Sequence, residues 1–339
     1  MSLDDGEQFG LGEIYLPAGA DKANVLHLAR ASADMLAPID LRNINMAIDA
    51  VSGLTDQDAN AGPAVRAAFD VALHDLNGKL RGCPVHVMLG GSYRSEIAIS
   101  KHFRSGAEVP DSDAIGTTSV LMEYRAEPSR QIASFGPTSA IGWLTAAIDR
   151  LGPTVQVDID ASCSFDNPAL ARTCIEGLLT GAPRLNIGLL QPLNDDDLVG
   201  HAALCAALPI PIILDRSVHS AKAMNQIVRL AAADRVVVNI ERVGGLRAAM
   251  QIVSIAEAAS MGVSSATFCC TAVGAAAALH FAAVLHDTFP ARLDNLLSDS
   301  GRILDSGTAV AAGVAKVGTV TGLGVQMRDD AMAAFRPAL

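Results

Sequence analysis

Two short apolar stretches of the chain each end in a carboxylate, a group that can bind divalent metals or move protons. Residues 154–162 read TVQVDIDAS and contain Asp160, and residues 211–215 read PIILD and end on Asp215. The alternation of β-branched and polar residues in the first stretch predicts a strand with one polar face. Carboxylates at buried strand ends are costly unless a cation or hydrogen bonds meet them. The pair predicts either a divalent-metal site at a barrel mouth or ordinary acids that cap the following helices.

Five further polar residues are candidates for the same mouth. Asn239 ends another apolar stretch, although an amide cannot take up a proton at neutral pH. Glu241 has the same strand parity and is a candidate substitute acid or base. Arg216 follows the second aspartate and is a candidate cation beside the two carboxylates. Arg130 either holds an anionic substrate or lies on the surface, and His102 either reaches the mouth or is structural.

Strands and helices that would position these residues alternate from residue 96 onward. Such alternation predicts a parallel sheet, and the number of units favours a closed barrel over an open sheet. Residues 107–130 fit poorly and are predicted as a long loop. The predicted strands are 96–101, 131–134, 155–160, 185–190, 211–215, 236–240 and 263–268, and the predicted helices are 141–151, 168–179, 197–207, 221–233, 245–261 and 273–285.

The first hundred residues predict a smaller, mainly helical part. Helices are expected at 22–36 and 62–78, the second with a proline in its first turn and a glycine at its end. A strand is expected at 9–16. The Asp5-Gly6 pair is typical of a hairpin turn. Because we identify no strand before it, the chain is expected to begin inside a sheet.

The charge balance restricts the class of partner. The chain has 36 acidic and 25 basic residues, for a formal net charge of −11, which argues against nucleic acid or an anionic membrane as partner. We find neither a transmembrane-length apolar run nor a signal peptide. Six cysteines without a Cys-x-x-Cys pair predict reduced thiols in a cytoplasmic protein.

Several segments together resemble the enolase superfamily, specifically its mandelate racemase/muconate-lactonizing group. The resemblance covers most of the chain and rests on the order and spacing of the segments. They are residues 64–91 (the helix and Leu-Gly-Gly turn), 160–162 (DAS, for Asp-Ala-Asn), 190–193 (LQPL, for Glu-Gln-Pro-Leu), 209–217 (PIPIILDRS), 239–246 (NIERVGGL) and 322–325 (GLGV).

The resemblance implies a fold and its division. It implies an α/β protein with a modified TIM barrel, (β/α)7β, under an α+β cap built from both termini. The division would be a cap at 1–95, a barrel at 96–308 and a return to the cap at 309–339. The group has two to three strands and a mobile loop before the Asp-Asp-Gly turn, which here stands at residues 4–6. Either the sequence lacks that segment or the protein has no such lid. A homo-oligomer is also implied.

The resemblance further implies chemistry on a small carboxylate, in which Mg²⁺ is held by an acidic triad and a lysine or histidine moves the α-proton. Carried over by position, the ligands are Asp160, residue 190 and Asp215, but residue 190 is Leu190. Since Mg²⁺ requires near-octahedral oxygen coordination, this leucine should weaken binding severely. Asp158, which has the same strand parity as Asp160, is a candidate to compensate for this loss, although it should lie about 6–7 Å deeper.

The expected base is missing as well. The Lys-x-Lys of the group is expected on the second barrel strand, near residues 130–132, yet no lysine occurs between Lys101 and Lys222. Three hypotheses therefore remain open. The chain is an isomerase or dehydratase of the group that uses Mg²⁺, a catalytically silent relative that binds a small acid or only assembles into oligomers, or an enzyme with rewired chemistry at Arg216, Glu241 or His102.

Overall fold

The computed structural model describes residues 2–4, 8–16, 19–111, 116–124, 140–181, 186–267, 271–287, 289–293, 304–306 and 310–327. Its strands are β1 (Ser2–Asp4), β2 (Phe9–Leu11), β3 (Glu96–Ala98), β4 (Lys101–Phe103), β5 (Ser119–Glu123), β6 (Gln156–Asp160), β7 (Ile187–Leu190), β8 (Ile212–Leu214), β9 (Arg235–Asn239), β10 (Gly262–Ala266), β11 (Leu304–Ser306), β12 (Val310–Ala311), β13 (Val314–Lys316) and β14 (Val325–Met327).

Helices precede the barrel and follow most of its strands. They are α1 (Lys22–Leu36), α2 (Ile44–Thr55), α3 (Gly62–Arg81), α4 (Val85–Met88), α5 (Ala140–Leu151), α6 (Pro168–Gly181), α7 (Leu198–Ala207), α8 (Ala221–Leu230), α9 (Ile240–Val243), α10 (Leu246–Ala258) and α11 (Ala272–Ala283). Within the described ranges, no helix combines the length and apolar character needed to cross a membrane.

Strands β4 to β10 form one parallel sheet in which each strand pairs with the next along the chain. Residues 291 and 292 bring its two edges together, since Ala291 pairs with Ile99 and Arg292 pairs with Ala266 at the end of β10. The predicted modified barrel is therefore confirmed. An inner layer of buried apolar side chains spans five of the strands: Leu121, Leu190, Ile213, Val237 and Ala266.

The carboxylate of Asp75 connects helix α3 to segments near both ends of the chain. It is fully buried and accepts hydrogen bonds from the backbone N–H of Leu11 (2.8 Å) and of Leu323 (2.8 Å). Lys79 Nζ, one turn further along the helix, donates to it at 2.7 Å. Such charge-assisted bonds are among the strong ones in a folded protein. The N-terminal and C-terminal segments thus meet on one helix, as a cap from both termini requires.

A second carboxylate of α3, that of Asp70, joins this helix to the barrel. Its Oδ2 accepts from the backbone N–H of Leu246 and, at 3.3 Å, from that of Arg247, at the start of α10. Gly245, which precedes α10, has a φ of 115°, and a Cβ there would lie within 2.6 Å of the Asp70 side chain. The glycine pair of the sequence therefore permits this close approach of cap and barrel.

Three predictions about the elements are wrong. Strand β5 lies inside the segment predicted as a loop. The sequence does not predict it because the strand has only five residues and polar residues precede it. The strand predicted at 131–134 is not one of the three, because it falls outside the described residues and stays a prediction. The strand predicted over 96–101 is divided into β3, which pairs with β13, and β4, which enters the barrel. A strand does precede the Asp5-Gly6 turn: β1 pairs antiparallel with β2.

Two histidines, His86 of α4 and His280 of α11, form a buried pair. The Nδ1 atoms of His86 and His280 are 2.9 Å apart, and His280 Nε2 lies 3.4 Å from the carbonyl oxygen of Leu323. One ring must accept where the other donates, so a proton added to the acceptor would break the contact. Burial, followed by the charge of His86, lowers the pKa of His280 to about 4.

We expect this pair to make folding sensitive to acid. A histidine whose pKa is lower in the folded state binds fewer protons there, so its effect is absent above the unfolded pKa of 6.5. The free energy of unfolding should fall by about 3 kcal/mol between roughly pH 6.5 and pH 4 through this group. Urea denaturation across this range measures it. His280→Gln should flatten the profile, whereas His27→Gln, on the exposed face of α1, should leave it unchanged.

Candidate active site

A cavity of about 650 Å³ lies between the cap and the carboxyl ends of the barrel strands. The barrel contributes Asp160, Asp215, Glu241 and Arg242 to its lining, and the cap contributes Tyr15 among others. The two aspartates that the sequence singles out therefore face one shared space. Because ligand sites in barrels of this kind lie at the carboxyl ends of the strands, this cavity is the candidate active site.

Asp160 ends strand β6 and turns into the loop that follows. Its Oδ1 accepts from the backbone N–H of Ser162 (2.9 Å) and from the Ser162 hydroxyl (3.0 Å). Burial raises the pKa of Asp160 above its ordinary value; Ser162 and Arg292 oppose this effect, and the charge of Asp215 adds to it. The two carboxylates are thus close enough to influence each other.

Asp215, directly after β8, is held from two sides. Arg242 Nη1 forms an ion pair with its Oδ1 and donates to its backbone carbonyl at 3.0 Å. The backbone N–H of Asp215 donates to Gln191 Oε1 at 3.0 Å. Arg216, predicted as a cation beside the two carboxylates, lines the same cavity without an ion pair to Asp215 among the described residues, so its role stays a prediction. Arg216 is exposed on the cavity rim, and the paired arginine comes from the strand β9 side.

Asn239 explains how Arg242 reaches this place. Its side-chain Oδ1 accepts from the backbone N–H of Arg242 at 3.0 Å, which caps the one-turn helix α9. Asn239 is 2% exposed and does not line the cavity described above. It therefore caps a helix at the carboxyl end of β9, and a role for it at the mouth stays a prediction. Gly244, with a φ of 92°, ends the turn, and a Cβ there would lie 2.4 Å from the Arg66 guanidinium.

Glu241 is the carboxylate of the cavity best suited to proton transfer. Its Oε1 accepts from the Thr267 hydroxyl at 2.8 Å, whereas its buried Oε2 has no hydrogen-bond partner among the described residues. Burial raises the pKa of Glu241 to about 7; the charge of Glu13 adds to this effect and that of Arg242 opposes it. Near neutral pH both protonation states are therefore populated, as a general acid or base requires.

Of the two remaining predicted site residues, the structure describes only one. His102 is exposed at β4 and is not part of the lining. Arg130 falls outside the described residues. Sequence reasoning also missed Glu123, which ends β5 and pairs in register with Asp160, because its strand was predicted as a loop. Two residues before Glu123, and therefore on the same face of β5, Leu121 pairs in register with Asp158. Thus neither place on the second barrel strand holds a lysine.

Asp158 is bound to arginines deeper in the barrel. Its Oδ1 lies 3.2 Å from Arg235 Nη2, and its Oδ2 lies 2.9 Å from Arg292 Nη2. All three side chains are nearly buried, with exposed fractions of 8% for Asp158 and Arg292 and 13% for Arg235. Both carboxylate oxygens are therefore engaged, and the suggestion that Asp158 compensates for a lost metal ligand is wrong.

The residues at this mouth do not fit the Mg²⁺ ion that the resemblance implies. In the part of the chain that the structure describes, no group of three or more His, Cys, Asp or Glu side chains converges to hold a metal. Leu190 belongs to the apolar layer inside the barrel. Arg242 already holds the carboxylate of Asp215. Mg²⁺ coordination by several oxygen atoms is not available in this arrangement.

Comparison with known proteins gives one family and a consistent set of relatives. The family model described as Enolase C-terminal domain-like matches residues 124–331. Muconate cycloisomerase 1 of Rhodococcus opacus is 29% identical over 272 residues, which cover 79% of this chain and 70% of that protein. The N-succinyl-L-Arg/Lys racemase of Bacillus cereus is 25% identical over 238 residues, which cover 70% of this chain and 63% of that protein.

The fold has close structural neighbours. The crystal structure of a muconate lactonizing enzyme from Pseudomonas fluorescens, in complex with muconolactone, superposes with a TM-score of 0.82 at 23% identity. The superposition covers 97% of this chain and 88% of that one. At this identity the likeness establishes a shared fold: a barrel with a cap.

Proposed function

Because this chain belongs to the enolase C-terminal domain-like family, we propose that it is an isomerase-type protein that moves the α-proton of a small carboxylate. Two relatives are named as a cycloisomerase and a racemase, which supports the isomerase class. The substrate would occupy the cavity between cap and barrel mouth. Its carboxylate would bind at the exposed rim, where Arg216 and His219 lie.

Glu241 is the proposed proton-transfer residue, and its environment is the observation that carries the proposal. The carboxyl group lines the cavity, has one unpartnered oxygen and has its pKa raised to about 7. Oε2 would take the α-proton from the substrate carbon and return it, while Thr267 fixes the other oxygen. The guanidinium of Arg242, the next residue, would stabilise the negative charge that develops on the substrate.

Exchange of the α-proton with solvent tests this function. The protein is incubated in deuterated water with a set of small carboxylates that includes N-acyl amino acids, dipeptides and unsaturated diacids. Proton NMR then follows loss of the α-proton signal. We expect exchange with at least one acid, and the exchange should persist in the presence of a chelator. Absence of exchange for the entire set would reject the catalytic proposal.

A second candidate is a catalytically silent relative that binds a small acid. It is favoured by Leu121 and Leu190, which are apolar where the resemblance implies a base and a metal ligand. Calorimetry with the same acids separates the two candidates. Binding without exchange would support the silent relative, whereas exchange would exclude it.

The division into 1–95, 96–308 and 309–339, the homo-oligomer and the cytoplasmic location stay predictions. The contacts of Asp75 with both terminal segments support the first of these. Light scattering during gel filtration measures the second, and a monomer at micromolar concentration would contradict it.

A further inference from the structure

We propose that Arg242 is the built-in cation of this mouth, and that the site works without a divalent metal. The inference goes beyond the proposed function, because it concerns how the cavity balances its charge and holds whether or not a substrate is turned over. It rests on the contacts of one side chain, on the residues that fix it, and on the apolar neighbour of the two carboxylates.

The contacts of Arg242 place a permanent positive charge on Asp215. Its Nη1 forms the ion pair with Oδ1 and also donates to the backbone carbonyl of the same residue at 3.0 Å. The exposed fractions of the two side chains are only 17% and 25%. A guanidinium stays protonated at every physiological pH, and a partly buried pair is poorly screened by salt. A metal would have to displace this group to reach Oδ1 of Asp215.

The surroundings hold both partners in place. Asn239 Oδ1 accepts from the backbone N–H of Arg242 at 3.0 Å and fixes the turn from which the side chain extends. Gln191 accepts from the backbone N–H of Asp215 at 3.0 Å and from that of Ser217 at 3.3 Å. The pair is therefore pre-positioned by two neutral side chains, Asn239 at the start of the turn that carries Arg242 and Gln191 directly after β7.

The remaining positions offer little to a metal. Leu190, paired with Asp160 in the sheet, presents an alkyl side chain from the inner apolar layer. Asp160 Oδ1 already accepts two hydrogen bonds from Ser162. A divalent cation there would face the Arg242 guanidinium, and among the described residues no three His, Cys, Asp or Glu side chains converge to hold it, whereas stable sites need several oxygen ligands.

Titration with Mn²⁺, followed by electron paramagnetic resonance of the free ion, tests the proposal without any substrate. Four proteins are compared at neutral pH: the wild type, Arg242→Gln, Arg216→Gln and the double variant Leu190→Glu with Arg242→Gln. Arg216 is the matched control, because it is an arginine on the same cavity that makes no ion pair among the described residues. Circular dichroism checks that each variant is folded.

We expect no saturable Mn²⁺ binding at about 1 mM to the wild type or to Arg216→Gln. Arg242→Gln should bind Mn²⁺ at least about tenfold more tightly than the wild type does. The double variant should bind Mn²⁺ more tightly again, since it gains a carboxylate. Saturation of the wild type below about 1 mM would overturn the proposal. So would an equal gain in Arg216→Gln, or no gain in the double variant.

The wild-type measurement needs no substitution, so the proposal remains testable if a variant does not fold. Arg242→Lys adds a further arm, because it keeps the positive charge and should still exclude Mn²⁺. A failure of the function proposed above would leave these results unchanged, since α-proton exchange is not part of the measurement.

Discussion

Glu241→Gln is expected to reduce the rate of α-proton exchange by about 10²- to 10⁴-fold, the usual contribution of a general acid or base. Glutamine has nearly the same shape and can still accept from the Thr267 hydroxyl, but it cannot take up a proton. The wild-type rate should rise with pH and level off above about 7, because the carboxylate form is the base and its pKa is about 7. The NMR exchange assay measures both.

The matched control is Glu257→Gln, on the exposed surface of α10, which should keep the wild-type rate and pH profile. An exchange rate for Glu241→Gln within about twofold of the wild type would rule out Glu241 as the proton-transfer residue.

The pH dependence of stability gives a second test of Glu241. The pKa of Glu241 is raised from 4.5 to about 7 on folding, so the contribution of Glu241 to the free energy of unfolding should fall as pH rises between these values, opposite in sign to that of His280. Glutamine should remove this fall.

Asp158→Asn is expected to lower the free energy of unfolding by about 3–5 kcal/mol, the cost of leaving buried charges without their partner. The variant keeps the volume of the side chain, so the loss reports charge rather than packing. Arg235 and Arg292 would then face an amide from inside the barrel. Arg235 keeps its stacking on the Phe289 ring, 4.6 Å from the centroid, which cannot replace the lost charge.

Urea denaturation at neutral pH measures this loss. Asp149→Asn, at an exposed position near the end of α5, is the control and should change the free energy of unfolding by less than about 0.5 kcal/mol. A loss below about 1 kcal/mol for Asp158→Asn would show that the arginines find other partners. That outcome would contradict the assignment of Asp158 to the barrel interior rather than to the mouth.

The segment around Asn239 connects these results. At the end of β9 the chain has an asparagine, Asn239, that caps a single helical turn. That turn carries Glu241 and Arg242 to the cavity. A neutral capping residue therefore stands beside an acid and a cation that can take over parts of the chemistry. This arrangement favours the rewired enzyme over the metal-dependent one.

The sequence by itself determined the fold and the approximate location of the site. The predictions rested on local patterns, which can be recognised without knowing any tertiary contact. These patterns are period-two stretches that end in acids, helices with clear first and last residues, and the glycine pair at 244–245. The parallel strands then had to bring Asp160 and Asp215 to one edge of the sheet. The structure places both in one cavity.

Only the tertiary structure decided which charges meet. Arg216 is adjacent to Asp215 in sequence, yet the partner of Asp215 is Arg242, 27 residues away. The reason is that β8, which ends before Asp215, pairs with β9, and the turn that follows β9 carries Arg242. Asp158 and Asp160 look alike in sequence, but one lies between two arginines inside the barrel and the other faces the cavity. The raised pKa of Glu241 likewise depends on burial and on Glu13, more than 200 positions away. Electrostatic energy depends on the distance between the charges and on the exclusion of water, and the amino-acid sequence alone specifies neither quantity.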